Sequence, residues 1–222
     1  AGAYEFVSWT DNEKLVVRRY AKYWRASERN LDGIEFAIIP EVATGVRSVV
    51  AGQNHVAYAL PARQKAVLAR ASNIQQAAGP TVYCVQIYYN WGKPPFDDIR
   101  VRKALNHAVD RATFVKATLE GVGEPAFMNL PSSHWAYDAD VAKLYPHDLD
   151  KARALLKEAN VPQGFELDLI GYTDQDSIRR EEILIEQFAK VGLKAKFTNG
   201  SIAEMSAAFF GKDKKGAGLL SA

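Results

Sequence analysis

The hydrophobic and polar positions change period twice along this chain. Lys14–Tyr20 alternates like a strand, and Ile34–Pro40 is apolar enough for a buried one. Val42–Ala51 predicts a short helix stopped by Gly52, since glycine adopts the left-handed conformation that ends helices. Val56–Leu60 is strand-like up to Pro61, and Ala62–Ala71 has helical propensity. Thr81–Asn90 is β-branched and aromatic, which predicts a strand broken by Gly92-Lys93-Pro94-Pro95. Asp97 and Asp98 then supply cap chemistry for one long helix to about Glu120. Its stripe is Val101, Leu105, Ala108, Ala112, Val115 and Leu119, in steps of three and four.

Glu124–Tyr145 is a long irregular stretch, of the kind that often carries function. A second amphipathic helix is predicted over Asp148–Asn160, with Leu149, Ala152, Leu155, Leu156 and Ala159 inward. A strand over Phe165–Tyr172, a helix over Ser177–Val191, a strand over Leu193–Thr198 and a helix over Ile202–Phe210 follow. Alternation of this kind predicts an α/β fold. A boundary between a strand-rich and a helix-rich part falls near Tyr88–Pro95.

Composition is that of a globular chain, with 48% hydrophobic and 24% charged residues. The net charge of +2 is too small to argue for nucleic acid or an anionic membrane. Lys212, Lys214 and Lys215 read as a solvated face. The single cysteine, Cys84, lies in an apolar run and reads as a small buried hydrophobe. No apolar stretch approaches the ~20 residues of a membrane span, and the first residues lack the pattern of a signal peptide. The chain is therefore cytosolic, or its signal lies outside it.

Catalytic chemistry is hard to place. There is no G-x-S-x-G elbow, P-loop or H-E-x-x-H. Gly121-Val122-Gly123 follows a helix and lacks a third glycine. His55, His107, His134 and His147 have no second ligand at metal spacing. Asp138/Asp140 and Asp148/Asp150 fit turns and helix starts, and Asp174-Gln175-Asp176 lacks the rest of a calcium loop. Asn199-Gly200-Ser201 is most simply a turn. No catalytic residue, metal ligand or cofactor is expected. One aromatic cluster stands out: in an extended run Tyr89 and Trp91 face one way, Tyr88 and Asn90 the other, which fits either core plus turn or a ligand surface.

Lys93-Pro94-Pro95-Phe96-Asp97-Asp98-Ile99-Arg100-Val101-Arg102-Lys103-Ala104-Leu105, continued by Ala108-Val109-Asp110-Arg111, resembles the signature of family 5 solute-binding proteins. Gly2–Trp9, Asn12–Val16, Asp32–Pro40, Asp150–Leu156 and Gln187–Leu193 resemble other segments of that family in its order, so the likeness spans nearly the whole chain. At Ala51-Gly52-Gln53-Asn54-His55 this chain lacks two acids that the family carries. Family members are considerably longer, which implies that the chain is a piece of such a protein.

The resemblance implies an incomplete two-lobed fold of the type II periplasmic-binding-protein kind, with residues 1–87 in part of the first lobe and 88–222 in most of the second. It implies capture of a peptide or similar small solute between lobes and delivery to an inner-membrane ABC permease. The expected protein is a periplasmic or lipid-anchored monomer, neither an enzyme nor a binder of nucleic acid. On that map Tyr89, Asn90 and Trp91 become ligand candidates at the lobe crossing. Ser133, His134 and Trp135 in the long loop form a second group. The rival readings are a ligand-sensing domain of a transcription regulator and a hydrolase.

Overall fold

The computed structural model describes residues 2–25, 31–58, 60–77, 79, 83–212 and 214–221. They group into two compact units, Ala1–Gln76 and Ala77–Ala222. The described residues between 77 and 87 thus group with the second unit.

The first unit holds a three-stranded antiparallel sheet of β1 (Tyr4–Thr10), β2 (Lys14–Arg19) and β3 (Gly33–Ala37). Asn12, with φ 56°, makes the tight turn between β1 and β2. A register shift between Phe6 and Ser8 sets Phe6 opposite Val17 and Trp9 opposite Leu15. Those residues share one face with Ile34 and Phe36. The other face carries the exposed ion pairs Lys14–Glu35 and Arg18–Glu5, at 3.2 and 2.7 Å.

Helix α1 (Val42–Val50) is capped by Glu41, whose carboxylate accepts from the Ala43 and Thr44 N–H groups. The helix expected over 62–71 shrinks to a 3₁₀ turn, Ala62–Gln64, and α2 (Lys65–Leu68). Only Leu68 of α2 is buried, so packing does not extend what propensity begins. The strand expected over Val56–Leu60 is absent among its described residues. Val56 and Tyr58 are exposed, with no neighbouring strand to complete a ladder.

The second unit is built on a mixed sheet in the order β4 (Gln86–Tyr89), β7 (Gly218–Ser221), β5 (Phe165–Tyr172), β6 (Leu193–Gly200). Strands β5, β6 and β7 are parallel, and β4 runs against β7. The strand expected from Thr81 begins only at Gln86; Thr81 and Val82 lie outside the described residues. The helices are α3 (Ile99–Ala108), α4 (Arg111–Leu119), α5 (Leu149–Glu158), α6 (Gln175–Ala189) and α7 (Ile202–Phe210). The main core joins Phe96, Leu105 and Ala108 to Leu156, Leu167, Leu169, Leu184 and Phe188. A smaller cluster of Ile170, Phe209 and Leu219 includes α7 residues. Both clusters draw on β5.

The single long helix predicted over 97–120 is two helices. Val109 and Asp110 are extended between them. The buried Gln187 of α6 supplies the reason: its Oε1 accepts from the Asp110 N–H at 3.0 Å, and its Nε2 donates to the Asp110 carbonyl at 3.2 Å. One side-chain amide thus satisfies both backbone groups at the break. Asp110 then caps α4, accepting from the Thr113 N–H and hydroxyl. Val101, Leu105 and Ala108 of the predicted stripe are buried, whereas Ala112 beyond the break is exposed.

Asp110→Ala is expected to lower the stability of the full-length protein by about 1 kcal/mol through the lost cap. Gln187→Ala is expected to cost about 1–3 kcal/mol, because it strands the Asp110 N–H, while the Asp110 carbonyl keeps the Phe114 N–H. Urea denaturation of the two variants checks the order.

Candidate ligand-binding surface

Tyr89 ends β4 and stacks on Phe96, with ring centroids 4.7 Å apart. Burial pushes its phenol up to about 12, against the opposing pull of Arg111 and Arg102. Asn90 builds the turn that follows. Its N–H donates to the Ala217 carbonyl, its Oδ1 accepts from the Gly92 N–H at 3.2 Å, and its carbonyl accepts from the Lys93 N–H. Trp91 is 70% exposed, with the Arg102 guanidinium 5.0 Å from its ring centre.

The other three candidates lie on the irregular stretch. Ser133 is exposed, and Trp135 is 92% exposed. His134 Nδ1 accepts from the Ala136 N–H at 3.1 Å, and its ring lies 5.5 Å from that of Trp135. Arg111 ties the stretch down by donating to the Ala126 carbonyl and lying over Phe127. Each trio is contiguous, and no hydrogen bond or ring contact joins the two among the described residues. Two concavities in the second unit, of about 460 and 450 Å³, are lined by none of the six.

Strand direction draws attention to another edge. Tyr172 of β5 pairs with Gly200 of β6, and Gln86 of β4 pairs with Ser221 of β7, so these residues mark the carboxyl edge of the parallel strands. Tyr89 pairs with Gly218 at the start of β7, level with Leu169 of β5, so Asn90 and Trp91 leave the sheet away from the carboxyl edge. Open α/β sheets bind their ligands outside the carboxyl ends of strands.

Two helices start at the carboxyl edge. Asp174 caps α6, accepting from the Ser177 N–H at 2.9 Å and its hydroxyl at 2.6 Å. Ser201 and Glu204 cap α7 reciprocally. Burial pushes the Asp174 carboxyl up, but the Ser177 hydrogen bonds outweigh it and leave Asp174 below its usual range. The Ser201 N–H and hydroxyl lower Glu204. Both carboxylates are therefore charged at neutral pH, and Thr173, Gln175 and Ile202 stand exposed beside them. From sequence, Asp174–Asp176 reads only as an incomplete calcium loop and Asn199–Ser201 as a turn, although Ser201-Ile202-Ala203-Glu204 directly after a strand is a capping-box signal.

Residues 1–216 match the model of the bacterial extracellular solute-binding proteins, family 5 Middle. The chain belongs to this family. Family 5 relatives include the glutathione-binding proteins GsiB of Shigella dysenteriae and Salmonella typhi, 32% and 31% identical over 219 residues. In each case 98% of this chain matches 42% of the relative, so the chain spans less than half of their length. Among solved structures, the ABC transporter-associated periplasmic binding protein DppA from Helicobacter pylori, in complex with the peptide STSA, superposes with a TM-score of 0.84 at 22% identity. That match covers 99% of this chain and 42% of DppA. The oligopeptide-binding protein AppA from Bacillus subtilis, in complex with a nonapeptide, gives 0.77 at 22%, covering 99% and 46%. The α/β architecture is thus part of a type II periplasmic-binding-protein fold, and the family assignment made from the signature residues stands.

In this family 5 chain the signature residues are engaged in folding. Phe96 is fully buried under Tyr89. Asp98 caps α3 and pairs with Arg100, which also donates to the Glu158 carbonyl at the end of α5. Arg102 closes the turn on the Asp97 carbonyl, and Arg111 bridges to Asn106 and Ala126. The segment that identifies the family therefore locks α3 to its surroundings.

The Tyr89 phenol gives a pH test of this packing. Its folded value lies above the ordinary ~10 of an unfolded tyrosine, so the neutral form favours folding. That contribution is complete below about pH 10 and disappears as pH climbs to about 12. Between about pH 9 and about pH 11, the urea midpoint of Tyr89→Phe is expected to fall less than that of the unaltered protein.

Proposed function

We propose that this chain is part of the ligand-handling region of an ABC importer's extracytoplasmic binding protein. In this reading the whole protein captures a small peptide or peptide-like solute and hands it to an inner-membrane permease. The match over residues 1–216 carries the reading. The glutathione- and peptide-binding relatives supply the ligand class. We assign the first unit to one lobe and the second to the other. Ligand closes the pair by contacting both, which biases a hinge between open and closed states. The protein works in the periplasm or tethered to the cell surface, and the solute leaves chemically unchanged.

On the second lobe we assign the ligand-facing surface to the carboxyl edge, around Thr173, Gln175, Ser201 and Ile202. The charged caps Asp174 and Glu204 make this edge suit the ammonium end of a peptide. A second reading sets the ligand against the exposed indoles of Trp91 and Trp135, with Tyr89, Asn90, Ser133 and His134 around them. It is favoured by the exposure of both indoles.

Calorimetric titration of the full-length protein with glutathione and short peptides tests both. Saturable binding is expected, with the ligand recovered intact. Thr173→Arg and Ile202→Arg are each expected to weaken it at least about tenfold, which is about 1.4 kcal/mol. Trp91→Ala should leave affinity nearly unchanged. The reverse pattern would move the site to the tryptophans. No saturable binding of any peptide would sink the function.

A further inference from the structure

One buried carboxyl group of the second unit has no part in the site just described. Glu181 of α6 is 4% exposed. Its Oε2 accepts from Asn199 Nδ2 of β6 at 2.7 Å. Its Oε1 is buried without a hydrogen-bond partner. The Tyr172 N–H favours the charged form without meeting the geometry of a hydrogen bond. A Cβ on Gly171 would stand 2.0 Å from Oε1 and 2.9 Å from Cδ, so the carboxyl occupies the space that a side chain at 171 would fill. Gly171 and Asn199 are paired across β5 and β6, one residue below the strand ends. A single carboxyl thus plugs α6 into both strands beneath the carboxyl edge.

An ionised carboxylate presents about four acceptor sites, and this one meets a single well-placed donor. Burial therefore favours the neutral acid and pushes the group above its usual range. The facing charges do not reverse this. Asp174, the cap of α6, and Glu182 on α6 are negative and add to the rise. From β5 comes the Tyr172 N–H alone. Glu166 of β5 and the exposed Lys194 and Lys196 of β6 alternate away from Gly171 and Asn199, with Lys196 held 3.4 Å from Glu166. Glu181 itself meets the groove of about 460 Å³ that these lysines line.

We propose that Glu181 is a proton-dependent latch: as the neutral acid it locks α6 to the ends of β5 and β6, and on ionising it loosens that edge. The latch belongs to the fold of the second unit and stands whether or not the carboxyl edge binds ligand. A carboxyl raised on folding contributes stability that is complete below its unfolded value and is lost as pH rises through its folded value. The loss therefore runs upward from the ordinary carboxylate range.

The test compares the full-length protein with Glu181→Gln, a neutral group of the same shape. Urea midpoints of the two are expected to differ least at about pH 5 and to diverge toward about pH 8, the variant holding up better. Amide exchange at Tyr172 and Gly200, corrected for intrinsic rate, should quicken with pH in the unaltered protein and stay level in the variant. Infrared difference spectra should show the buried carboxyl ionising at higher pH than the exposed glutamates, and this readout needs no stable glutamine variant, because Glu181→Asp or ¹³C-glutamate labelling assigns the band. Parallel pH profiles, or a Glu181 band that ionises together with the exposed glutamates, would overturn the latch.

Discussion

The second unit depends on the burial of β5. Leu167 and Leu169 enter one core and Ile170 the other, so from Leu169 to Gly171 this strand is buried on both faces, while Glu166 and Asp168 reach water. A strand buried in this way needs partners along both edges and helices over the sheet. Strands β6 and β7 meet the first need in parallel, and α3, α5, α6 and α7 meet the second. Parallel neighbours require crossovers, and the crossovers bring the helix starts to the carboxyl ends of the strands. The edge assigned to the ligand is therefore a consequence of how β5 is covered.

The family signature adds a second constraint away from that edge. Phe96, Asp98, Arg100, Arg102 and Arg111 are spent on a core contact, a cap and a set of carbonyl contacts. The same residues that make the chain recognisable are those that position α3. This separates two questions that a motif tends to merge: which family a chain belongs to, and where its ligand sits. In this chain the motif answers the first, and strand direction bears on the second.

Much of the fold was legible from residue patterns, and the exceptions share a cause. Strands β2, β3, β5 and β6 and helices α1, α5, α6 and α7 follow periodicity because one face of each meets a core or a partner strand. The break between α3 and α4 was hidden, since it is made by Gln187, an amide far away in sequence. Strand β7, only four residues long, is too short to show a period. The run at Val56–Leu60 has strand propensity but pairs with no strand among the described residues. The aromatic cluster at Tyr88–Trp91 read equally as core or as ligand surface; in the structure Tyr89 packs on Phe96 and Asn90 makes the turn. The carboxyl edge was not legible, because strand direction is a property of the assembled sheet.

Hydrogen exchange of the full-length protein, with and without a bound peptide, tests the central claim most directly. The account predicts that ligand slows exchange at residues 172–178 and 200–205, where β5 and β6 end and α6 and α7 begin. Protection confined to residues 89–93 and 132–136, with none at those helix starts, would contradict it.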